Sequence, residues 1–154
     1  MKLVPVSVED IHRLWEMQVE AFSQLYQTYQ DTETSPATES VERIMERFQQ
    51  PSTHYYFIRE NGQDVGAIRV VDRQDPHTPK RISPIFILPP YRNHGLAQQA
   101  ILAVEELHGV SNWALDTILQ ETGNCYLYEK MGYRQTGRTE VINDKMTLVF
   151  YQKD

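Results

Sequence analysis

Residues 81–108, RISPIFILPPYRNHGLAQQAILAVEELH, restrict the fold more than any other part of this chain. The apolar run 82–88 is rich in β-branched and aromatic residues and carries no charge, so it predicts a strand buried on both faces. Pro89 and Pro90 end that strand because proline cannot donate to a strand ladder. After Gly95, apolar residues return at steps of three and four, which predicts an amphipathic helix. The centre of the chain is therefore a strand, a turn and a helix.

The turn between this strand and helix has the features of an anion site. A helix start leaves backbone N–H groups without partners and carries partial positive charge, so it suits a phosphate. Gly95 and Ala97 keep the backbone accessible, and Arg92 adds a guanidinium. The turn lacks the three glycines of a dinucleotide fingerprint and the Gly-Lys-Ser/Thr ending of a phosphate loop. The residues alone leave an ordinary connection with an incidental Arg and Gly equally open.

Composition excludes several classes of protein. A net charge of -6, with no dense Lys/Arg face, argues against nucleic acid as a partner and is compatible with a cationic amine substrate. The single cysteine, Cys125, cannot form an internal disulfide and suits a reducing compartment. Neither Cys125 nor the five histidines show metal-ligand spacing, so no metal is expected. No signal peptide or long apolar run is present, so we expect a cytoplasmic protein without membrane contact.

Patterns in the rest of the chain predict a single mixed α/β domain over residues 1–154. Two helices come early, the second able to begin at Ser35-Pro36. Further elements are a hairpin of 54–60 and 64–72 around Asn61-Gly62, a strand at 111–118, a short helix at 123–131 ending at Gly132, and strands at 133–142 and 145–152. This order predicts a mixed sheet with helices on both faces.

Two motifs resemble the GNAT superfamily of N-acetyltransferases. The pattern Arg92-x-x-Gly95-x-Ala97, after a strand ending in Leu-Pro, resembles the coenzyme A pyrophosphate loop of that family. Residues 127–133, LYEKMGY, resemble its Leu-Tyr-Glu-Lys-x-Gly-Phe segment, and the element order is similar along nearly the whole chain. The resemblance implies acetyl-CoA as co-substrate. It also implies a mostly antiparallel sheet of about six to seven strands, in which parallel strands at 82–88 and 113–118 splay apart at the cofactor cleft.

The same resemblance assigns the site residues. Tyr128 matches the general acid that protonates the departing thiolate, although a core tyrosine with its hydroxyl bonded to backbone is the alternative. Backbone N–H groups of the central strand would stabilise charge on the thioester oxygen. The expected cofactor-binding residues are Phe86, Ile87, Leu88, Arg92, Asn93, His94, Gly95, Leu96, Ala97 and Asn124.

The sequence departs from the commoner family pattern in two places. Glu121 stands where many members place a cofactor-binding asparagine, while Asn124 lies one helical turn before Tyr128. Asn124 could bind cofactor or cap the short helix. The glutamate that many members carry on the central strand is also absent, so the general base is unassigned. Candidates are Asp116, Glu121, Asp72 and His77, and a water chain to solvent is equally open.

The function implied is transfer of an acetyl group from acetyl-CoA to a primary amine, directly within a ternary complex. The alternatives are a non-catalytic acyl-CoA-binding module and an unrelated phosphate-ester-binding domain. The acceptor is a small-molecule or peptide amine, and the protein is a monomer or homodimer. A possible acceptor wall comprises Tyr26, Tyr29, Asp31 and Glu33, whereas Trp15 and Phe22 are expected in the core.

Overall fold

One seven-stranded sheet organises the chain in the computed structural model, which describes residues 1–154. The strands are β1 (Lys2–Pro5), β2 (Thr53–Glu60), β3 (Gln63–Val71), β4 (Lys80–Ile87), β5 (Trp113–Ile118), β6 (Arg134–Asn143) and β7 (Met146–Lys153). Their order across the sheet is β1-β2-β3-β4-β5-β7-β6, and every pair is antiparallel except β4 with β5. The mixed, mostly antiparallel sheet with one parallel pair is thus confirmed.

Four helices cover the two faces of the sheet. They are α1 (Ile11–Tyr29), α2 (Val41–Phe48), α3 (Leu96–His108) and α4 (Thr122–Lys130). Successive strand residues point to opposite faces. Accordingly, Phe57 packs in a core cluster with residues of α1 and α2, and Ile58 packs in a second cluster with residues of α3 and α4. The prediction of helices on both faces is confirmed. No helix is both long and apolar enough to cross a membrane.

The second helix does not begin at Ser35-Pro36. Those residues start only a short 3-10 turn, Pro36–Thr38, and α2 begins at Val41 with Ser40 as its cap. Glu39 between them is extended, with ψ of 142°, and its carbonyl accepts the indole N–H of Trp15 at 2.8 Å. That contact with α1 holds the backbone out of the helical region, and no local sequence signal reveals it.

Strands β4 and β5 pair over only two positions. Lys80 lies opposite Trp113 and Arg81 opposite Ala114, after which the two strands separate. From Ile82 onward β4 keeps β3 as its only neighbour, so one edge of β4 faces a gap. The predicted splay is present. The same gap corrects the prediction that β4 is buried on both faces, because Ser83, Pro84 and Ile85 are only partly buried.

Close contact between β3 and β4 depends on Gly66, which lies opposite Ile87 in the ladder. A Cβ at this position would collide with the carbonyl oxygen of Phe86 and lie 3.0 Å from Cδ1 of Ile87. The backbone oxygen cannot rotate away as a flexible side chain would. Gly66 therefore lets the two strands approach at the end of β4 that borders the gap.

We expect Gly66→Ala to destabilise the fold by about 1–3 kcal/mol, the usual range for overpacking. Chemical denaturation with a fluorescence or circular dichroism readout measures the change. Gly123→Ala is the matched control, because nothing lies within 4 Å of a Cβ there and its backbone is helical. Equal stability of the two variants would contradict the close-approach argument.

Candidate active site

Two cavities open into the gap between β4 and β5. The turn cavity, about 460 Å³, extends along the end of β4 to the residue 91–98 turn. The loop cavity, about 200 Å³, is bounded by the end of α1, the residue 31–36 loop, and strands β4, β5 and β7. The two cavities share the side chains of Phe22, Leu25, Ile85, Asn124 and Tyr128. These residues mark the place where the cavities meet.

The turn presents a continuous row of unused backbone donors. No hydrogen bond within the protein involves the six successive N–H groups from Asn93 to Gln98, and the first helical bond is from Gln99 N–H to Gly95 O at 3.1 Å. Asn93 and Gly95 have positive φ of 66° and 75°, which curves the chain between them. Such a concave run of N–H groups at a helix start is an anion-binding geometry. Phosphate binding by this turn stays a prediction.

Arg92 connects this turn to two other elements. Its Nε donates to the carbonyl of Ile87 and its Nη2 to the carbonyl of Ala21, both at 2.8 Å. The guanidinium thus ties the middle of α1 to the end of β4. Arg92 also lines the turn cavity, and its other N–H groups have no partner within the protein. The predicted contact between Arg92 and a phosphate stays a prediction, beside this positioning role.

The end of β4 contributes one backbone donor to the gap. Leu88 N–H donates to Val65 O on the β3 side at 2.8 Å. Backbone N–H groups alternate in direction along an antiparallel strand, so the N–H of Phe86 also points to β3. Ile87 therefore faces the gap, where its carbonyl accepts Nε of Arg92. Of the three strand residues predicted to bind cofactor, Ile87 has its backbone N–H directed to the gap.

Tyr128 stands at the junction of the cavities. The residue is 7% exposed, and its ring lies 6.2 Å from those of Tyr133 and Tyr151. Its hydroxyl makes no hydrogen bond within the protein, so the alternative of a backbone-bonded core hydroxyl is wrong. Burial raises the pKa of Tyr128 above its ordinary value of 10, and the negative charge of Asp116 raises it further. Tyr128 therefore keeps its hydroxyl proton at neutral pH, and the residue lines both cavities.

Asn124 lies at the same junction and does not cap α4. The capping position belongs to Glu121, and Asn124 sits within the first helical turn. Its Nδ2 is 3.5 Å from Oγ1 of Thr117 on β5, and its side chain lines both cavities. The capping alternative is wrong, and the cofactor-binding alternative stays a prediction.

The structure brings two of the four candidate bases to the cavities. Asp116 lines the loop cavity, with Oδ1 accepting Nη2 of Arg81 at 2.6 Å. Glu121 lines the turn cavity, but its Oε2 accepts the hydroxyl of Tyr29 at 2.5 Å. That bond raises the pKa of Tyr29 to about 12.

The other two candidate bases lie away from the cavities. Asp72 lines neither cavity, and its Oδ2 is 3.0 Å from Nδ1 of His108. His77 also lines neither, and its backbone N–H donates to Asp75 within an exposed loop. Only Asp116 combines a place in the loop cavity with a carboxylate oxygen that has no donor in the protein.

The loop cavity includes three of the four residues of the predicted acceptor wall. Tyr26, Tyr29 and Asp31 line it, whereas Glu33 does not. Phe22, which was expected in the core, lines both cavities. Its position on the apolar stripe of α1 gave no signal of this role, because that stripe spans the gap as well as the sheet.

A model of the GNAT acetyltransferase domain family matches residues 18–154. A comparison with curated protein sequences found no match. In structure, the chain resembles the spermidine N-acetyltransferase of Vibrio cholerae, solved in complex with CoA and spermine. The TM-score is 0.75 at 14% identity, covering 97% of this chain and 92% of that one.

Two further solved structures share the fold. The ribosomal-protein-S18-alanine N-acetyltransferase of Escherichia coli has a TM-score of 0.74 at 13% identity, covering 97% of this chain and 90% of that one. An acetyltransferase from Thermus thermophilus has a TM-score of 0.73 at 16% identity, covering 97% and 94%. The sheet also has the splayed parallel pair that the two GNAT-like sequence motifs imply. Since the family model covers most of the sequence, the chain belongs to the GNAT acetyltransferase domain family.

Proposed function

We propose that this protein transfers an acetyl group from acetyl-CoA to a primary amine, directly within a ternary complex. One observation carries the proposal: Tyr128, whose hydroxyl has no partner in the protein, lines both cavities at the place where they meet. The turn cavity would hold acetyl-CoA and the loop cavity the amine. The acetyl group and the amine would then meet beside Tyr128, as direct transfer requires.

The residues of the turn cavity fit acetyl-CoA. The unused N–H groups from Asn93 to Ala97 would hold the pyrophosphate, together with the remaining N–H groups of Arg92. The end of β4, with Phe86 and Ile87, would lie along the pantetheine arm, Leu88 follows just beyond the strand and outside the cavity lining, and Asn124 would contact the arm from α4. The Vibrio cholerae structure, solved with CoA and spermine, supports only the coarser point that this fold binds CoA together with an amine. When bound, acetyl-CoA supplies the activated thioester.

Asp116 and Tyr128 would divide the proton transfers between them. Asp116 accepts the proton that the amine loses as its nitrogen bonds to the acetyl carbon. Tyr128 donates its hydroxyl proton to the sulfur as the carbon–sulfur bond breaks, and the backbone N–H of Ile87 stabilises charge on the carbonyl oxygen. Passage of the proton from Asp116 back to Tyr128 restores both groups. The products are an acetamide and free CoA thiol.

Thiol release over an amine library, with mass spectrometry of the product, tests the proposal. An acetyltransferase releases thiol in proportion to acetylated amine. A non-catalytic acyl-CoA-binding module would bind acetyl-CoA in calorimetry but release no amine-dependent thiol. That result would overturn the proposed transfer and leave the cofactor assignment intact.

Ala97→Asp should weaken acetyl-CoA binding at least 10-fold while the fold remains stable. The new carboxylate would occupy the N–H groups that a phosphate needs, yet acidic residues in a first helical turn are favourable by roughly 0.3–1 kcal/mol. Calorimetry measures affinity, and thermal unfolding measures stability. Gln99→Asp is the matched control, because Gln99 is exposed in the same turn but does not line the cavity. Equal affinity for the two variants would contradict the phosphate assignment.

Tyr128→Phe should lower kcat by about 10²- to 10⁴-fold, the usual contribution of general acid–base catalysis, with little change in acetyl-CoA affinity. The variant removes only the hydroxyl, which makes no hydrogen bond within the protein, so folding should be preserved. Steady-state kinetics and calorimetry separate the two effects. Tyr126→Phe, on the exposed side of α4, is the control. Wild-type turnover in Tyr128→Phe would remove the acid role.

The rate should rise with pH and show no decline from Tyr128 below about pH 10. A free amine is the nucleophile, and alkylamines lose their proton near pKa ~10.4. The donor must stay protonated, and burial raises the pKa of Tyr128 above 10, so its proton is retained as the amine deprotonates. A profile of kcat/KM against pH measures this. A decline of kcat/KM that begins below about pH 10 and is absent in Tyr128→Phe would contradict this expectation.

A further inference from the structure

We infer that the acceptor is a small primary amine with one positive charge and an uncharged, mostly apolar remainder. This inference rests on the proposed function and names its substrate class. It excludes two classes of amine as good acceptors: polyamines, which carry further cations, and amino acids, which carry a carboxylate. The argument depends on which charged groups line the loop cavity and on which of their atoms are free.

The loop cavity contains no cationic side chain. Asp31 and Asp116 are its only charged residues, and no Lys, Arg or His lines it. A carboxylate on the acceptor would therefore enter a space without a cation to pair with it. Burying an unpaired charge is strongly unfavourable. The cavity accordingly disfavours amino acids and other amines that carry an acid group.

Asp31 is not available to a second ammonium group. The residue is 2% exposed, and its Oδ1 accepts the backbone N–H groups of Glu33 at 3.0 Å and Thr34 at 2.9 Å. Its Oδ2 accepts the hydroxyl of Thr34. The carboxylate is thus turned into its own loop, where it fixes the 31–34 backbone. A polyamine would find no free carboxylate oxygen there for its other cations.

Asp116 is the one carboxylate that can meet a substrate ammonium. Only its Oδ1 has a partner in the protein, Nη2 of Arg81 at 2.6 Å, and Arg81 does not line the cavity. Asp116 is close enough to Tyr128 for its charge to raise the pKa of that hydroxyl. The single anionic contact therefore lies in the same cavity as the proposed donor, Tyr128. An amine held there is placed for transfer, and its remainder must fill the rest of the cavity.

The rest of the cavity is small, uncharged and more apolar than polar, and Ser83, Thr117 and Asn124 are among its polar lining residues. Its wall includes Phe22, Leu25, Ile82, Pro84, Ile118 and Leu148. The volume of about 200 Å³ is below the roughly 300–1,000 Å³ typical of drug-sized ligand pockets. A short alkyl or aryl chain matches this wall, because transfer of apolar surface out of water is favourable, whereas transfer of a charged terminus is unfavourable.

Three acceptors with the same six-carbon chain test the inference: hexylamine, 1,6-diaminohexane and 6-aminohexanoate. They end in a methyl group, an ammonium and a carboxylate respectively at about pH 7. We expect kcat/KM for hexylamine to exceed that of each of the others by at least about 10-fold, after correction for the two amino groups of the diamine. Thiol release with saturating acetyl-CoA measures all three.

Leu148→Glu should shift the preference toward the diamine, because it places a carboxylate on the apolar wall. We expect the ratio of diamine to hexylamine kcat/KM to rise at least about 10-fold in this variant. Val141→Glu adds the same charge on β6, where Val141 is 73% exposed and outside both cavities, and should leave the ratio unchanged. An equal shift in both variants would indicate an effect of net charge and contradict the cavity argument.

Equal or better use of the diamine or the amino acid by the wild-type enzyme would overturn the inference. Absence of turnover with all three amines would also overturn it. Acetylation of some other amine in the library would then show that the proposed function stands and that only the acceptor class is wrong. Failure of acetyl-CoA to bind in calorimetry would instead show that the proposed function itself has failed.

Discussion

The site depends on the brief pairing of β4 with β5. Two residue pairs hold the parallel strands together, and beyond them one edge of β4 has no neighbouring strand. Backbone groups at such an edge need other partners. The carbonyl of Ile87 obtains one from Arg92, and side chains of α1 and α4 fill much of the space. The ion pair of Arg81 with Asp116 spans the strands just where they diverge, so it helps to define the width of the gap.

Helix α1 turns this gap into two cavities. Near its middle, the carbonyl of Ala21 accepts Nη2 of Arg92, which attaches the helix to the turn before α3. At its end, the hydroxyl of Tyr29 donates to Glu121 at the start of α4, and the carbonyl of Tyr29 accepts Nδ2 of Asn143 at 2.9 Å. Because both regions are anchored, Phe22 and Leu25 between them are held over the gap, where the turn cavity meets the loop cavity.

Local signals in the sequence were sufficient for most of the fold. The strand, turn and helix of residues 82–108, and the hairpin at Asn61-Gly62, each follow from periodicity or turn chemistry within a few residues. The contacts that complete the site are of another kind. Tyr29 and Glu121 are 92 positions apart, and Arg92 binds a carbonyl 71 positions away. Neither the hydroxyl of a helical tyrosine nor a backbone oxygen carries a sequence signal for a distant partner, so these contacts could not be predicted from the residues alone.

The two cavities differ in how far they depend on side-chain identity. The turn cavity presents backbone N–H groups, which nearly any sequence supplies once Gly95 and Asn93 have shaped the turn. The wall of the loop cavity is built by side chains from the end of α1, the 31–36 loop and strands β4, β5 and β7. Substitutions there can alter charge and shape without touching the turn. With the proposed assignment of the cavities, such a fold can keep one acetyl donor while its acceptor changes, because donor binding and acceptor choice would reside in different chemical groups.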